Sequence, residues 1–377
     1  MKILHLIPTY KPAYVYGGPI ISVSNLCETQ AKAGHQVAMI TTTANGAKEL
    51  DVEIGKPQMV DGVEVTYHAR WTKDHSQFSP GLLMQLWRDC KKYEVVHIHS
   101  WWNISVILSV VVCWLRGVKP ILSLRGMLSG FSFDNNNASP KKIFHRFLGK
   151  PLLQTTRLHF TAEAEKMNSP ELGADGFVLP NIVNTANGQV FENKKNDVFT
   201  LVTLSRLHPV KNIESLFEAI AKLPFDVRIK LIGDGEVEYV DSLKQLASQL
   251  NIQNKIEWMG SLYDAEKFAC MASADLFVQP SFTENFANAV IENLSVGTPV
   301  LVSEKVGLAQ YVLENNLGWT CGTDASSIAK VIEDIFYKKE ELINIRKIAP
   351  AFIKRDFSPK VVAEKYVDEY KRHLANA

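Results

Sequence analysis

The stretch FTLVTLSRLHPVKNIESLFEAIAKLPFDVRIKLIGDG, residues 199–235, decides the fold. Phe199–Leu204 is a short apolar run rich in β-branched residues, which reads as a buried strand. A polar loop with Ser205, Arg206, Leu207 and Lys211 follows it, and Asn212–Lys222 reads as a helix. Val227–Gly233 is a second apolar run, closed by the sharp turn Gly233-Asp234-Gly235. Strand, helix and strand with connections this short form one turn of a parallel α/β sheet.

The same alternation extends in both directions. Downstream come Glu238–Leu250 (helix), Ile256–Met259 (strand), Asp264–Ala272 (helix), Leu276–Pro280 (strand), Ala287–Ser295 (helix) and Pro299–Val302 (strand). Upstream, strands are expected at Lys2–Pro8, Gln36–Thr42, Gly62–Tyr67, Val95–His99, Pro120–Leu124, Leu158–Thr161 and Gly176–Leu179. Helices are expected at Ile20–Ala33, Gly81–Lys92 and Ile104–Leu115. The polar stretch Asn184–Asp197 reads as a linker after Pro180-Asn181. The expectation is therefore α/β, with two doubly wound Rossmann-like domains at 1–182 and 183–355. Residues 356–377 hold an amphipathic helix, Ser358–Leu374, expected to cross back onto the first domain. Ligands of such sheets bind at the carboxyl ends of the strands, so the expected site is a central cleft that both domains face.

Composition narrows the class. The 377 residues carry 46% hydrophobic and 21% charged side chains, ordinary for a globular protein, with a net charge of +1. No global field points to nucleic acid. The five cysteines are scattered and odd in number, and no CxxC pair or Cys/His cluster appears, which speaks against a disulfide framework or a zinc site. MKILHLIPTY lacks the length and cleavage site of a signal peptide. Ile104–Leu115 is too short to span a bilayer, which takes about 20 residues, and reads as a buried helix. A cytoplasmic protein is expected.

Chemistry gathers at strand ends. Gly17-Gly18 follows the first strand, where backbone N–H groups at a helix start can meet a phosphate; a simple turn explains the pair as well. Arg206 and Lys211 span a strand-to-helix loop and can converge on a diphosphate, or be two solvated cations. Gly233 at its turn permits close backbone approach to a nucleobase, or simply turns the chain. The segment Pro280–Glu292 says most. Glu284 lies in a strand-to-helix loop, Asn285, Phe286 and Ala287 open a helix whose dipole favours an anion, and Glu292 stands on an otherwise apolar helix. A carboxylate there can accept two hydrogen bonds from a ribose diol. In the first half, His97-Ile98-His99 and Arg125-Gly126-Met127 close successive strands; His99 and Arg125 are placed to face the cleft, and His97, deeper on the same face, reads as structural.

Taken in order, these residues resemble the retaining GT-B glycosyltransferases of the family-four type (glycosyl transferases group 1). The resemblance covers nearly the whole chain: Gly17-Gly18, Ala33-Gly34-His35-Gln36-Val37, His97-Ile98-His99, Pro180-Asn181, Ser205-Arg206-Leu207 with Lys211, Gly233-Asp234-Gly235, Glu284 with Glu292, and Gly297-Thr298-Pro299-Val300. It implies that Arg206 and Lys211 neutralise the donor diphosphate and Glu292 holds the ribose. Glu284, with the backbone of Asn285, Phe286 and Ala287, would hold the sugar and phosphate; Gly17 and Gly18 would meet the phosphate, and backbone near Gly260-Ser261-Leu262 would read the base. His99 and Arg125 would face the transferred sugar or acceptor. It implies same-face attack assisted by the leaving phosphate, with cations in place of a metal and no cofactor. The chain departs from the family at Ser205, Asn285, Ala287 and Arg125, where relatives more often carry Gly, Gly, Gly and His.

Arg125-Gly126-Met127 and Glu284-Asn285-Phe286 further resemble bacterial polysaccharide and O-antigen assembly enzymes. That implies a UDP- or GDP-linked hexose donor and a glycan or polyprenyl-diphosphate-linked acceptor at the inner membrane face. The stretch with Lys141, Lys142, Arg146, Lys150 and Arg157 among Ile143, Phe144, Phe147, Leu148, Leu152 and Leu153 would suit peripheral contact with anionic lipid, or be an ordinary helix with a solvated basic face. A non-catalytic partner subunit and a nucleotide-sugar epimerase are the alternatives; intact charges at Arg206, Lys211, Glu284 and Glu292 oppose the first, and the lack of an additional acid/base carboxylate pair opposes the second. No GxGxxG follows the first strand, which sets a dinucleotide-dependent dehydrogenase aside.

Overall fold

The computed structural model describes residues 1–74, 76–128, 143–169, 175–186, 189, 191 and 197–376. The chain divides into two compact units, Met1–Ile182 with Pro359–Ala377, and Val183–Ser358. The expected loop Ser132–Pro140, Lys141, Lys142 and part of the linker stretch lie outside the described residues.

The first unit is built on β1 (Lys2–Leu6), β2 (Gln36–Thr42), a small β3–β4 hairpin (Ala44–Asn45 and Lys48–Glu49), β5 (Pro57–Val60), β6 (Val63–His68), β7 (Val95–His99), β8 (Ile121–Ser123), β9 (Arg157–Phe160) and β10 (Gly176–Val178). The sheet runs in the order β10-β9-β8-β7-β1-β2-β6-β5. All neighbours are parallel except β5, which pairs antiparallel with β6. β7 and β1 are central, and every residue of Val95–His99 is buried, as expected of a strand covered on both faces. Helix α1 (Gly18–Lys32) and the C-terminal helix Pro359–Ala375 cover one face: Ile3, Leu26, Val95, Ile121, Phe177, Val362, Tyr366 and Tyr370 form one apolar cluster. Helices α2 (Pro80–Asp89) and α3 (Ile104–Leu115) pack on the opposite face through Leu82, Leu86, Val106, Val110 and Cys113.

Helix α3 corrects the reading of Ile104–Leu115 as a buried helix. It buries Ser105, Val106, Ser109, Val110 and Cys113, while Ile104, Trp114 and Leu115 are exposed. An outer-layer helix has only one side against the sheet, so a mostly apolar sequence leaves apolar surface on the other.

The second unit holds six parallel strands: β11 (Phe199–Leu204), β12 (Val227–Ile232), β13 (Ile256–Gly260), β14 (Leu276–Gln279), β15 (Val300–Ser303) and β16 (Gly318–Cys321). Their order is β13-β12-β11-β14-β15-β16. Counted within the unit, this is the 3-2-1-4-5-6 order of a doubly wound dinucleotide-type fold, and the order reverses between β11 and β14. The loops leaving those two strands therefore diverge and open a crevice. Strand β16 and the helices Ala309–Glu314, Ala325–Phe336 and Lys339–Phe357 add to the expected elements. Pro350 lies inside the last of these, a residue that argues against a continuous helix on sequence alone.

Gly233 has a structural cause of its own. Its φ is +132°, and a Cβ there would lie 1.9 Å from the Ser205 carbonyl oxygen. At Gly235 a Cβ would lie 2.4 Å from the Leu207 carbonyl oxygen. The two turns run side by side, with Leu207 N–H donating to Asp234 O at 2.8 Å. Glycine is demanded there with or without a ligand. Replacing Gly233 by Ala is expected to destabilise the protein by about 3 kcal/mol or more, read as a fall in the urea midpoint. A change below about 1 kcal/mol would contradict the packing described.

Candidate functional site

The polar groups of the second unit meet where its strand order reverses. After β11 the chain passes Arg206, which is exposed, and makes a single 3-10 turn, Pro209–Lys211. Asn212 then takes a left-handed conformation, φ +59°, and its side-chain amide donates to Pro280 O at 3.0 Å and Thr323 O at 2.7 Å. That clamp ties the β11 loop to the β14 loop and turns Lys211 toward Glu284. The Lys211 ammonium forms an ion pair with the Glu284 carboxylate, which also accepts from Gln279 Nε2 at 3.2 Å. The backbone of Glu284 is strapped to the next loop: its N–H donates to Lys305 O at 3.2 Å, and Gly307 N–H donates to its O at 2.8 Å. The carboxylate is thus held by two side chains and its backbone by the next loop, while the side chain stays partly exposed.

The following helix begins one residue later than expected, at Asn288, with Ala287 as N-cap at φ +73°, ψ +73°. Phe286 is buried, its ring centroid 6.2 Å from that of Phe357, and Ala287 is buried beside it. Asn285 is half-buried. Phe286 and Ala287 thus offer a ligand backbone groups at most, above a helix N-terminus that favours an anion. Glu292 lies on this helix and is buried, but not alone: Lys267 Nζ donates to its Oε1 at 2.7 Å. Burial raises the Glu292 pKa and the lysine opposes that shift. Lys267 was missed by sequence reasoning, although it is the only cation on Asp264–Ala272, the helix before β14. Leu262 is half-buried beyond β13, beside Ser261, whose hydroxyl donates to Asp234.

In the first unit, Gly17 caps α1 at φ +72° and Gly18 is its first residue; a Cβ on either would meet nothing within 4 Å. The space above the start of α1 is therefore open, although the Gly17 N–H itself donates to Tyr14 O at 2.9 Å. His99 corrects an expectation: it is fully buried and cannot touch a ligand. It lies on the same sheet face as His97 and His5, under α1 and the C-terminal helix. Arg125, one strand over, is the half-buried group, and it turns the chain at φ +53°.

These side chains form a chain of hydrogen bonds whose protons can be placed. A guanidinium only donates. Arg125 NH2 lies 3.5 Å from His99 Nδ1, so that nitrogen carries a lone pair and the proton of His99 is on Nε2. His99 Nε2–H then donates to His5 Nδ1 at 3.0 Å. His5 is in turn protonated on Nε2 and donates to Gln30 Oε1 at 2.9 Å. The remaining amide of Gln30 donates to the Tyr370 hydroxyl at 3.3 Å, and that hydroxyl lies 2.7 Å from His97 Nδ1. Tyr370 comes from the C-terminal helix, which is also clamped by Arg157 NH2 donating to Glu369 Oε2 at 2.6 Å. No second proton fits on His99 without facing the guanidinium.

Desolvation is the main reason the four fully buried histidines resist protonation: His5 is lowered to about 4, His159 to about 3, and His97 and His99 fall well below the ordinary value. His5, His97 and His99 would also sterically suit a metal, since one ring nitrogen from each lies within 4.8 Å of the others. The Arg125 cation against His99 opposes that use. Because the unfolded chain takes up protons on these groups near pH 6.5 and the folded chain does not, stability is lost as pH falls from about 6.5 towards 4. Each histidine withdraws about 2 kcal/mol by pH 5. The urea midpoint is expected to drop steeply between pH 6.5 and 5, and an unchanged midpoint would contradict the neutral network. Long-range ¹⁵N spectra should show His99 and His5 as Nε2–H tautomers at pH 6, and a protonated His99 would contradict the same assignment.

Comparison with known proteins agrees with this geometry. The Glycosyltransferase Family 4 profile matches residues 16–187 and the Glycosyl transferases group 1 profile matches 187–352. An uncharacterised glycosyltransferase of Methanocaldococcus jannaschii is 24% identical over 391 residues, covering 98% of each chain. A lipopolysaccharide core biosynthesis glycosyltransferase of Rhizobium meliloti is 28% identical over 173 residues, 45% of this chain and 49% of that one. Among solved structures, Anabaena HepE in complex with UDP-glucose superposes with a TM-score of 0.74 at 19% identity, covering 100% of both chains. With one profile on each unit, and sheets that match two Rossmann-like domains, the chain belongs to the group 1, family-four glycosyltransferases of GT-B architecture.

Proposed function

We propose that this glycosyltransferase is a retaining, metal-independent enzyme that moves a hexose from a UDP- or GDP-linked donor to a glycan or polyprenyl-diphosphate-linked acceptor in cell-surface polysaccharide assembly. The observation that carries the reading is the Lys211–Glu284 ion pair at the point where the strand order of the second unit reverses. Without a ligand, a partly exposed ammonium and carboxylate at a ligand crevice satisfy each other. A donor diphosphate competes for Lys211, with Arg206 adding a bidentate fork. Glu284 is then released to accept hydrogen bonds from sugar hydroxyls, and the amides at Asn285–Ala287 face the phosphate. Glu292, kept in place by Lys267, takes the ribose diol.

Fixed cations stabilise the charge that develops on the leaving diphosphate, which is the role a metal would otherwise fill. In the retaining step, the bond between the anomeric carbon and the phosphate oxygen breaks while the acceptor oxygen bonds to the same face. The acceptor proton passes to a leaving phosphate oxygen. The chain needs no nucleophile of its own for this route.

Contact with an anionic membrane belongs to the same reading, and helix α3 supports it. Trp114 is 57% exposed and Leu115 58% exposed at its end, and Met84 and Trp87 are exposed on α2. The Arg116 guanidinium lies 5.0 Å from the Trp87 ring, and Arg88, Lys91, Lys92 and Lys119 are exposed around them. Tryptophan beside cations is the composition of a surface seated at lipid headgroups. Among the described residues no helix is long and apolar enough to cross a membrane.

Two measurements test these points. In a thermal-shift screen of UDP, GDP, ADP and their sugar conjugates with EDTA present, one nucleotide is expected to raise the midpoint, and Glu292→Gln is expected to weaken its binding about tenfold. Loss of the shift in EDTA would refute metal independence, and an unchanged affinity in Glu292→Gln would refute the ribose role. In cosedimentation, vesicles with anionic lipid should retain the protein and neutral vesicles should not; Trp114→Ser with Trp87→Ser should abolish retention. Equal retention by the double variant would remove this face from the membrane.

A further inference from the structure

Among the described residues, Arg125 has no ion-pair partner. Its guanidinium NH1 donates to Ser22 Oγ at 2.7 Å and Asn181 Oδ1 at 3.1 Å, and NH2 donates to His99 Nδ1 at 3.5 Å. All three acceptors are neutral. Its Nε–H is shut off from solvent and has no partner among the described residues. Glu165, a carboxylate whose charge acts on Arg125 without an ion pair, is committed elsewhere: it accepts from Gly126 N–H at 2.5 Å and from Thr161 N–H at 2.6 Å. Those bonds brace the turn in which Arg125 and Gly126 both take left-handed backbone conformations, φ +53° and +76°. A bulky residue held at positive φ is strained and persists only where its surroundings fix it. The brace serves to present the side chain, yet leaves it without a direct ion pair among the described residues.

The surroundings prevent compensation by other means. His99 is held neutral by the Arg125-to-Tyr370 hydrogen-bond chain and cannot act as an anion. Ser22 stands in the second turn of α1, which begins at Gly18. A helix N-terminus adds further positive potential to the same spot. A desolvated cation with neutral acceptors, an orphan N–H and a helix N-terminus beside it is costly in isolation and becomes favourable when an oxyanion arrives.

We propose that Arg125 is an oxyanion-recognition residue, so that the ligand taken by the first unit carries a carboxylate or phosphate group at that point. Gln30, His5 and Tyr370 are positioning residues for it, acting through His99. The assignment rests on the glycosyltransferase reading only for which ligand brings the anion. A donor sugar with a carboxylate and an acceptor with a phosphate share the chemistry.

Isothermal titration at constant ionic strength separates these sources. UDP-glucuronate is compared with UDP-glucose for a donor-borne carboxylate, and octyl phosphate with octyl glucoside for an acceptor-borne phosphate. In one pair the anionic probe should bind about tenfold more tightly or better, and Arg125→Gln should remove that advantage. Should Arg125→Gln fail to fold, the Arg125 Nε–H resonance of ¹⁵N-arginine-labelled wild-type protein, assigned by its loss in Arg125→Lys, should shift on adding the favoured anionic probe and not its neutral match. No advantage in either pair, an advantage that survives in Arg125→Gln, or a resonance that does not move would overturn the proposal. Failure of the donor reading would appear separately, as UDP that does not bind the wild-type protein, and the octyl phosphate pair would still decide the role of Arg125.

Discussion

The reversal of strand order beside β11 is the constraint on which the second unit's chemistry depends. Only there do neighbouring parallel strands send their loops to opposite faces of the sheet. Lys211 leaves from one loop and Glu284 from the other, and their ion pair spans the opening. Asn212 fixes the distance between the loops by binding Pro280 O and Thr323 O, and Glu284 is fastened again at Lys305 and Gly307. A partly exposed ion pair contributes little to stability, so its place is better explained by a ligand that exchanges with it.

Backbone strain marks the same edges. Ser100, Arg125, Asn212 and Ala287 all take positive φ without being glycine, and each lies on the connection that follows the carboxyl end of a parallel strand, at or next to a candidate site residue. Such conformations cost of order 1–3 kcal/mol each and collect where side chains or amides must be aimed. Ala287 is the clearest case, since its left-handed N-cap sets the direction in which the amides of Asn285–Ala287 point.

Much of this was legible in the sequence because the elements are short and strongly patterned. Alternating apolar runs and helices led to the α/β reading, and strand ends led to the loops that carry Lys211, Glu284 and Arg125. What stayed hidden depends on contacts between distant residues. Glu292 on an apolar helix demanded a partner, but Lys267, 25 residues earlier, becomes that partner only when two helices pack. Likewise nothing local says that His99 is covered, because its cover includes Tyr370, over 270 residues away, and its tautomer follows from Arg125, Gln30 and His5 together. Gly233 shows the reverse: a glycine with a functional appearance has a full explanation in the carbonyl of Ser205. Helix α3 was misjudged because an apolar sequence does not reveal whether one side or two meet the protein.

The central claim is that a donor diphosphate displaces Glu284 from Lys211. A crystal structure with the nucleotide selected by screening tests it most directly. The account predicts a phosphate oxygen about 3 Å from Lys211 Nζ, the Glu284 carboxylate turned away from that ammonium, and the ribose hydroxyls on Glu292. A bound nucleotide that leaves the Lys211–Glu284 pair intact, with its phosphates elsewhere, would contradict it.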